Sequence, residues 1–363
     1  MNHSTILSRA FEITRRYKVL WLFGFLVALA SGGNGGGINY AFSGSGSGGG
    51  SAGAGRGASS GWEDLLNNPQ LPPGIRRFLE TLQQEVIRYR WEEIAPTLIG
   101  GVAVLLCCLA LVFLVVQVLR YVARVALIRG VDQIEATGGA PTWREGFRMG
   151  WSHRTFRLFV LEVIVFGVAA FCIGALMAIA IVPMVIGIAG VSQGASSNAI
   201  AVPAILLGFG MLACLIPFGI VIGIALSVLG ELWAREIVLA DRGIGDALAD
   251  GYHRARRRLA DVGLLWLILL LAGMVFGVIM ILVAILILLV AGSIAVGIGY
   301  IVFAVSASAL WSLAIGGAAL MLGMMIPMTL IAGLWEVFRS SVWTLAWREL
   351  AAPSPLPMPD PAA

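Results

Sequence analysis

Four almost uncharged stretches organise the chain: 95–117, 158–230 with a polar break only at 191–198, 262–292, and 293–335. A helix rises about 1.5 Å per residue, so about 20 apolar residues cross a hydrocarbon layer roughly 30 Å thick. Each stretch meets that length. The apolar runs are continuous rather than alternating, which predicts spanning helices and not barrel strands. The pattern therefore predicts an all-α integral membrane protein, a bundle of about six transmembrane helices. Five spans are expected near 95–117, 158–189, 199–229, 262–291 and 310–335. The sixth is the short apolar run 19–30, which a basic region ending Arg15-Arg16-Tyr17-Lys18 precedes. Its end, Ala28-Leu29-Ala30, has the form of a signal-peptidase site, so a cleaved leader is the alternative to a retained first span.

The segments between the runs are distinct in composition. Residues 31–61 are rich in glycine and serine, which predicts a flexible extracytoplasmic linker. Residues 62–94 follow, with Ile75, Phe78, Leu79, Leu82 and Val86 at helical spacing after Pro72-Pro73, so an amphipathic helix on the outer surface is expected. Between Gly138-Gly139 and Trp151, Thr142-Trp143-Arg144-Glu145 has the form of a capping box. Pro183, Pro203, Pro217 and Pro327 are expected kinks or ends. The run 294–309 is read as a non-spanning or re-entrant piece, because a span there would move Arg339 and Arg348 outside. Proline at every second residue from Pro353 to Pro361 predicts a disordered tail over 351–363.

Charge supplies the orientation. The 363 residues are 59% hydrophobic and 12% charged, with a net charge of +4; soluble domains carry about 25% charged residues. All of the 24 Lys and Arg except Arg56, Arg76, Arg77, Arg88 and Arg90 fall in the N-terminal 9–18, in 120–157, in 235–258 or in 339–348. Basic segments stay on the cytoplasmic side. Both termini and two Arg-rich hairpins are thus expected inside, and 31–94 outside. The arginines sit at helix ends, as topology determinants do, so no nucleic acid is expected as a partner.

The ends of the spans repeat. Arg120-Tyr121-Val122-Ala123-Arg124, Glu231-Leu232-Trp233-Ala234-Arg235 and Trp335-Glu336-Val337-Phe338-Arg339 each place an arginine where a helix leaves the membrane. The returns match as well: Gly150-Trp151-Ser152-His153-Arg154 beside Gly251-Tyr252-His253-Arg254. The unit is a span, an inner helical hairpin and a span, with the first and last spans as halves of a third unit. Such repeats occur in transporters, where a site lies between them, but polar residues at the midplane are nearly absent here.

Few residues carry chemistry. Glu162 is the carboxylate within an otherwise apolar span, and ionisable groups there are costly. It is expected to pair with Arg154, Arg157 or an exit arginine, with a proton or substrate relay as the sharper alternative. Glu231 with Arg235, and Glu336 with Arg339, share helix faces. His153, Arg154 and Arg157, with His253, Arg254, Arg256, Arg257 and Arg258, form the candidate site for an anionic lipid headgroup or phosphate. Cys107, Cys108, Cys172 and Cys214 lie in apolar runs and are read as small buried hydrophobes. The steps Gly273–Gly277 and Gly219–Gly223 permit close helix contact within the bundle or in a dimer. Trp21, Trp62, Trp143, Trp151, Trp233, Trp335 and Trp343 are expected mostly at the interfaces. No HExxH or phosphate-loop motif occurs. No enzyme, metal or cofactor is expected.

The segments 10–23, 124–151, 235–254 and 336–348 together resemble uncharacterised bacterial multi-pass membrane proteins. More distantly, they resemble the membrane domain attached to some glycerophosphodiester phosphodiesterases. The resemblance implies a helical bundle in the bacterial inner (plasma) membrane. The soluble phosphodiesterase domain has no counterpart in these residues, so its activity and metal do not carry over. The expected function is non-enzymatic: binding of anionic lipids, or of a protein partner through the inner hairpins or the outer amphipathic helix. The alternative is a transporter or permease subunit with a path between repeats.

Overall fold

A computed structural model describes residues 2–31, 76–78, 81, 91–191, 198–306 and 308–351. The expected linker, nearly all of the outer amphipathic helix and the proline-rich tail lie outside the described residues. The rest is helical, with no strand among the described residues: α1 (His3–Arg16), α2 (Val19–Ala30), α3 (Trp91–Thr137), α4 (Trp143–Gly150), α5 (His153–Val191), α6 (Asn198–Val238), α7 (Ile244–Arg257), α8 (Leu259–Ser306) and α9 (Ala309–Ala351). Five of these, α3, α5, α6, α8 and α9, are long and apolar enough to cross a membrane. Their apolar side chains point outward, with Phe171 78% and Val305 84% exposed. That surface would be untenable in water and is what a lipid solvent requires.

The chain divides into two compact units. The first comprises Met1–Gly46, Arg120–Gly273 and Gly333–Ala363. Its core is three clusters built around the C-terminal ends of α3, α6 and α9. Ile13 of α1 and Leu20, Phe23 and Val27 of α2 pack on Ala123, Leu127, Val131 and Ile134 of α3, with Val337 of α9. Tyr121, Val125 and Ile128 of α3 pack with Leu158 and Leu161 of α5, Trp233 and Ile237 of α6, and Ala247 of α7. Ile6 and Ala10 of α1 join Leu232 of α6, Ala255 of α7, Val262, Leu265 and Leu269 of α8, and Trp343 and Ala346 of α9. The apolar turn after each exit arginine is core, since Val125, Ile237 and Val342 are fully buried.

Small residues set the closest approaches in this unit. A methyl group at Gly24 would overlap the Gly333 carbonyl, so α2 and α9 cross almost backbone to backbone. Gly187 lies against Ile205, and Gly208 against Met184, which pairs α5 and α6 antiparallel. Gly150 lies against Val122, and Gly251 against Trp233.

The second unit comprises Ser47–Leu119 and Met274–Ala332. Within it the C-terminal half of α8 runs against the first half of α9. Ser312 donates to the Gly299 carbonyl at 2.6 Å, Gly299 faces Gly316, and Gly323 faces Ala291. This bears on the re-entrant form of the expectation for 294–309. No re-entrant break follows Gly292, because α8 is one helix of 48 residues ending at Ser306. The stretch has no proline and no charge to stop it.

Other expectations also change. Pro183, Pro203, Pro217 and Pro327 lie inside α5, α6 and α9 and end none of them. Gly219 and Gly277 meet nothing within 4 Å among the described residues. The four cysteines are exposed rather than buried; an apolar thiol suits a lipid-facing surface as well as a core. Trp233 and Trp343 belong to the core at 7% and 3% exposure, not to an interfacial belt. The α2 helix, with 12 residues, stands apart from α1 at Tyr17–Lys18 and spans about 18 Å at helical rise.

Candidate functional site

The three exit arginines meet on one carboxylate. Arg235 donates through Nη1 to Glu231 Oε2 at 2.6 Å, Arg339 through Nη2 to Glu231 Oε1 at 2.9 Å, and Arg124 Nη2 lies 3.6 Å from Oε2. Helical spacing explains the first contact, because residues four apart share a face. The other two need α3, α6 and α9 to pack together, which the three clusters achieve. Glu162 of α5 pairs with Arg124. Of the partners expected for it, an exit arginine takes the place and Arg154 and Arg157 do not. Glu336 pairs with Arg339 at 3.1 Å.

The cluster thus holds three guanidinium groups and three carboxylates, formally neutral. Arg235 is fully buried. It also donates to the Glu231 carbonyl at 2.6 Å and the Ser340 carbonyl at 3.1 Å. Charges this far from water persist only when paired and hydrogen-bonded. Arg9 to Glu135 at 2.8 Å ties α1 to the end of α3, and Arg348 to Asp132 at 2.7 Å ties α9 to the same helix.

The headgroup candidates separate into two groups. Arg154 donates to the Val238 carbonyl at 2.7 Å and to Asp241 at 2.9 Å, and Arg157 lies 3.5 Å from the same carboxylate. Asp241 takes a left-handed backbone conformation, φ 55°, which aspartate tolerates better than most residues. These two arginines are committed to closing the α6–α7 turn. His153 lies beside Phe156.

The second group lies on α7. Ala247, Gly251 and Ala255 form its buried face, and Trp233 donates to the Leu248 carbonyl at 3.2 Å. The flank beside that face carries a cavity of about 270 Å³ lined by Arg242, Asp250, His253, Arg254 and Arg257. Arg242 pairs with Asp250 at 3.2 Å. Arg254 lies 3.0 Å from Glu236, which is fully buried, and over the Trp347 ring at 5.4 Å. Trp347 donates to the same Glu236 oxygen at 3.0 Å. Arg256, Arg257 and Arg258 make no ion pair among the described residues.

A family model matches residues 6–343, which takes in the six residues of the ion cluster and the five that line the cavity. The chain belongs to the family of unknown function DUF7544. No curated protein and no solved structure matches it.

In this DUF7544 protein, no three His, Cys, Asp or Glu residues come together as metal ligands among the described residues. Its sequence points to the arginines of the cluster and to His253, Arg254 and Arg257, but not to Arg242, Asp250, Glu236 or Trp347. Glu236 and Trp347 are 111 residues apart, so no local spacing links them. The available signal was a carboxylate set in the apolar turn between Leu232 and Val238.

Proposed function

We propose that this is a non-enzymatic, multi-pass protein of a bacterial plasma membrane that binds anionic lipid headgroups through the basic face of α7. The observation that carries the reading is the run Arg256, Arg257 and Arg258. These side chains lack an ion-pair partner among the described residues, and they close a helix that is anchored by its buried Ala247, Gly251 and Ala255. Each basic residue near an anionic surface contributes about 1 kcal/mol of attraction. Arg154 and Arg157 are removed from the candidate set by Asp241, and Arg254 has a structural role beside Glu236.

The reading includes the threefold repeat, with cytoplasmic termini and α2 as a sixth span. Support comes from matching contacts. Gly150 and Gly251 occupy the same place in the two returns, and each packs on the third residue of its exit segment, Val122 and Trp233. The more distant resemblance to the phosphodiesterase membrane domain stays within this proposal as a relationship of architecture. Native mass spectrometry from nanodiscs containing phosphatidylglycerol tests the binding. Retained anionic lipid is expected, with loss when Arg256, Arg257 and Arg258 are all changed to Ala. Equal retention of phosphatidylglycerol by both forms would overturn the reading.

A further inference from the structure

The α7 cavity differs from a merely basic surface in being built from behind. Glu236, fully buried, holds Arg254 from one side, and Trp347 underlies the guanidinium at 5.4 Å. A guanidinium fixed in this way loses little freedom on meeting a ligand. Two lining residues carry buried polar atoms that no hydrogen bond satisfies, Arg254 Nη1 and Asp250 Oδ2. Their ion-pair contacts, at 3.0 and 3.2 Å, lack the alignment of hydrogen bonds. A buried donor such as Arg254 Nη1 ordinarily has a partner; Asp250 Oδ2 is an acceptor and gains nothing from an anion.

We propose, resting on the lipid-binding reading above, that the cavity formed by Arg242, Asp250, His253, Arg254 and Arg257 is a selective site for a phosphomonoester group. The lining carries three guanidinium groups against one carboxylate, and a positive surplus remains when Glu236 behind Arg254 is counted; a phosphomonoester offers these arginines three terminal oxygens where a diester offers two. Arginine forks suit the paired oxygens of a phosphate. The last turn of α7 points its carbonyls toward this end, which disfavours an anion. Binding therefore rests on the guanidinium groups, not on the helix terminus. Asp250 opposes it twice, by repelling the ligand and by engaging Arg242. The phosphate belongs either to a lipid such as phosphatidate or to a soluble phosphate compound.

The test uses the full chain in phosphatidylcholine nanodiscs. Three probes are compared by native mass spectrometry and titration: added phosphatidate, added phosphatidylglycerol, and inorganic phosphate. Phosphatidate is expected to be retained over phosphatidylglycerol. Arg257→Ala should weaken it about ten-fold, the scale of one charged hydrogen bond. Asp250→Asn should tighten it several-fold, a gain that a purely structural aspartate would not give. Displacement of phosphatidate by inorganic phosphate supports the site with a soluble ligand as its source; retention despite it supports the site with a lipid source. If the two lipids bind alike and neither variant changes the preference, the cavity proposal is overturned. The lipid-binding reading then stands or falls separately, on the Arg256, Arg257 and Arg258 variant. Helical circular dichroism of Asp250→Asn and Arg257→Ala establishes that both are folded.

Discussion

Glu231 carries the largest single-residue consequence in this protein. It faces Arg124, Arg235 and Arg339 at once, so its removal leaves the cluster one positive charge in excess and the fully buried Arg235 without a carboxylate. Glu231→Gln is expected to destabilise the first unit by about 3–5 kcal/mol, the usual cost of breaking a buried pair from one side. Glu12, exposed and paired only with Arg9 and Arg16, should change stability by less than about 1 kcal/mol when made Gln. Thermal unfolding of both variants in detergent compares them; equal shifts would contradict the weight placed on burial. At this scale the sequence was partly informative. The pairs four and three apart, Glu231 with Arg235 and Glu336 with Arg339, follow from helical geometry. The convergence of Arg124 and Arg339 on Glu231 does not, because it depends on how three distant helices pack.

Among the elements, α4 is short and depends on its start. Thr142 accepts from the Glu145 amide while Glu145 accepts from the Thr142 amide at 2.8 Å. The Thr142 backbone bond, and then its side chain, hold the Glu145 carboxyl below the ordinary carboxylate range. A lowered value means the carboxylate favours the folded helix at pH above its unfolded value. That contribution is lost as pH falls through the lowered value. Thr142→Ala should cost about 1 kcal/mol. Amide exchange across 143–150 should show faster opening in Thr142→Ala at neutral pH, with the difference narrowing in acid. A pH-independent difference would mean that Glu145 has no part in it. The capping box was legible from four residues, because its chemistry is local. The continuity of α8 was not, since the glycines and serine at 292–297 look like a break until α9 is seen packed along them.

For the whole molecule, the parity of the spans decides where the ends lie. Five helices are long and apolar enough to cross, and α2 is shorter. If α2 crosses as proposed, six spans return both termini to one side, and reporter fusions at each end will give the same cytoplasmic signal. Opposite signals would leave five crossings and place α2 as a helix that enters without passing through. The sequence made the membrane class plain, because apolar length is a one-dimensional property. It left the depth of α2 open, because 12 residues suffice only with help from neighbours such as Gly333. The ion cluster has one more consequence, for the order in which the chain can be made. Arg339 reaches Glu231 across 108 residues of sequence, so α3, α5 and α6 emerge from the ribosome with two of the three arginines that meet this acid. Until α9 is delivered the buried Arg235 also lacks the Ser340 carbonyl that it meets in the finished fold, so the first unit closes only when the last long helix is in place.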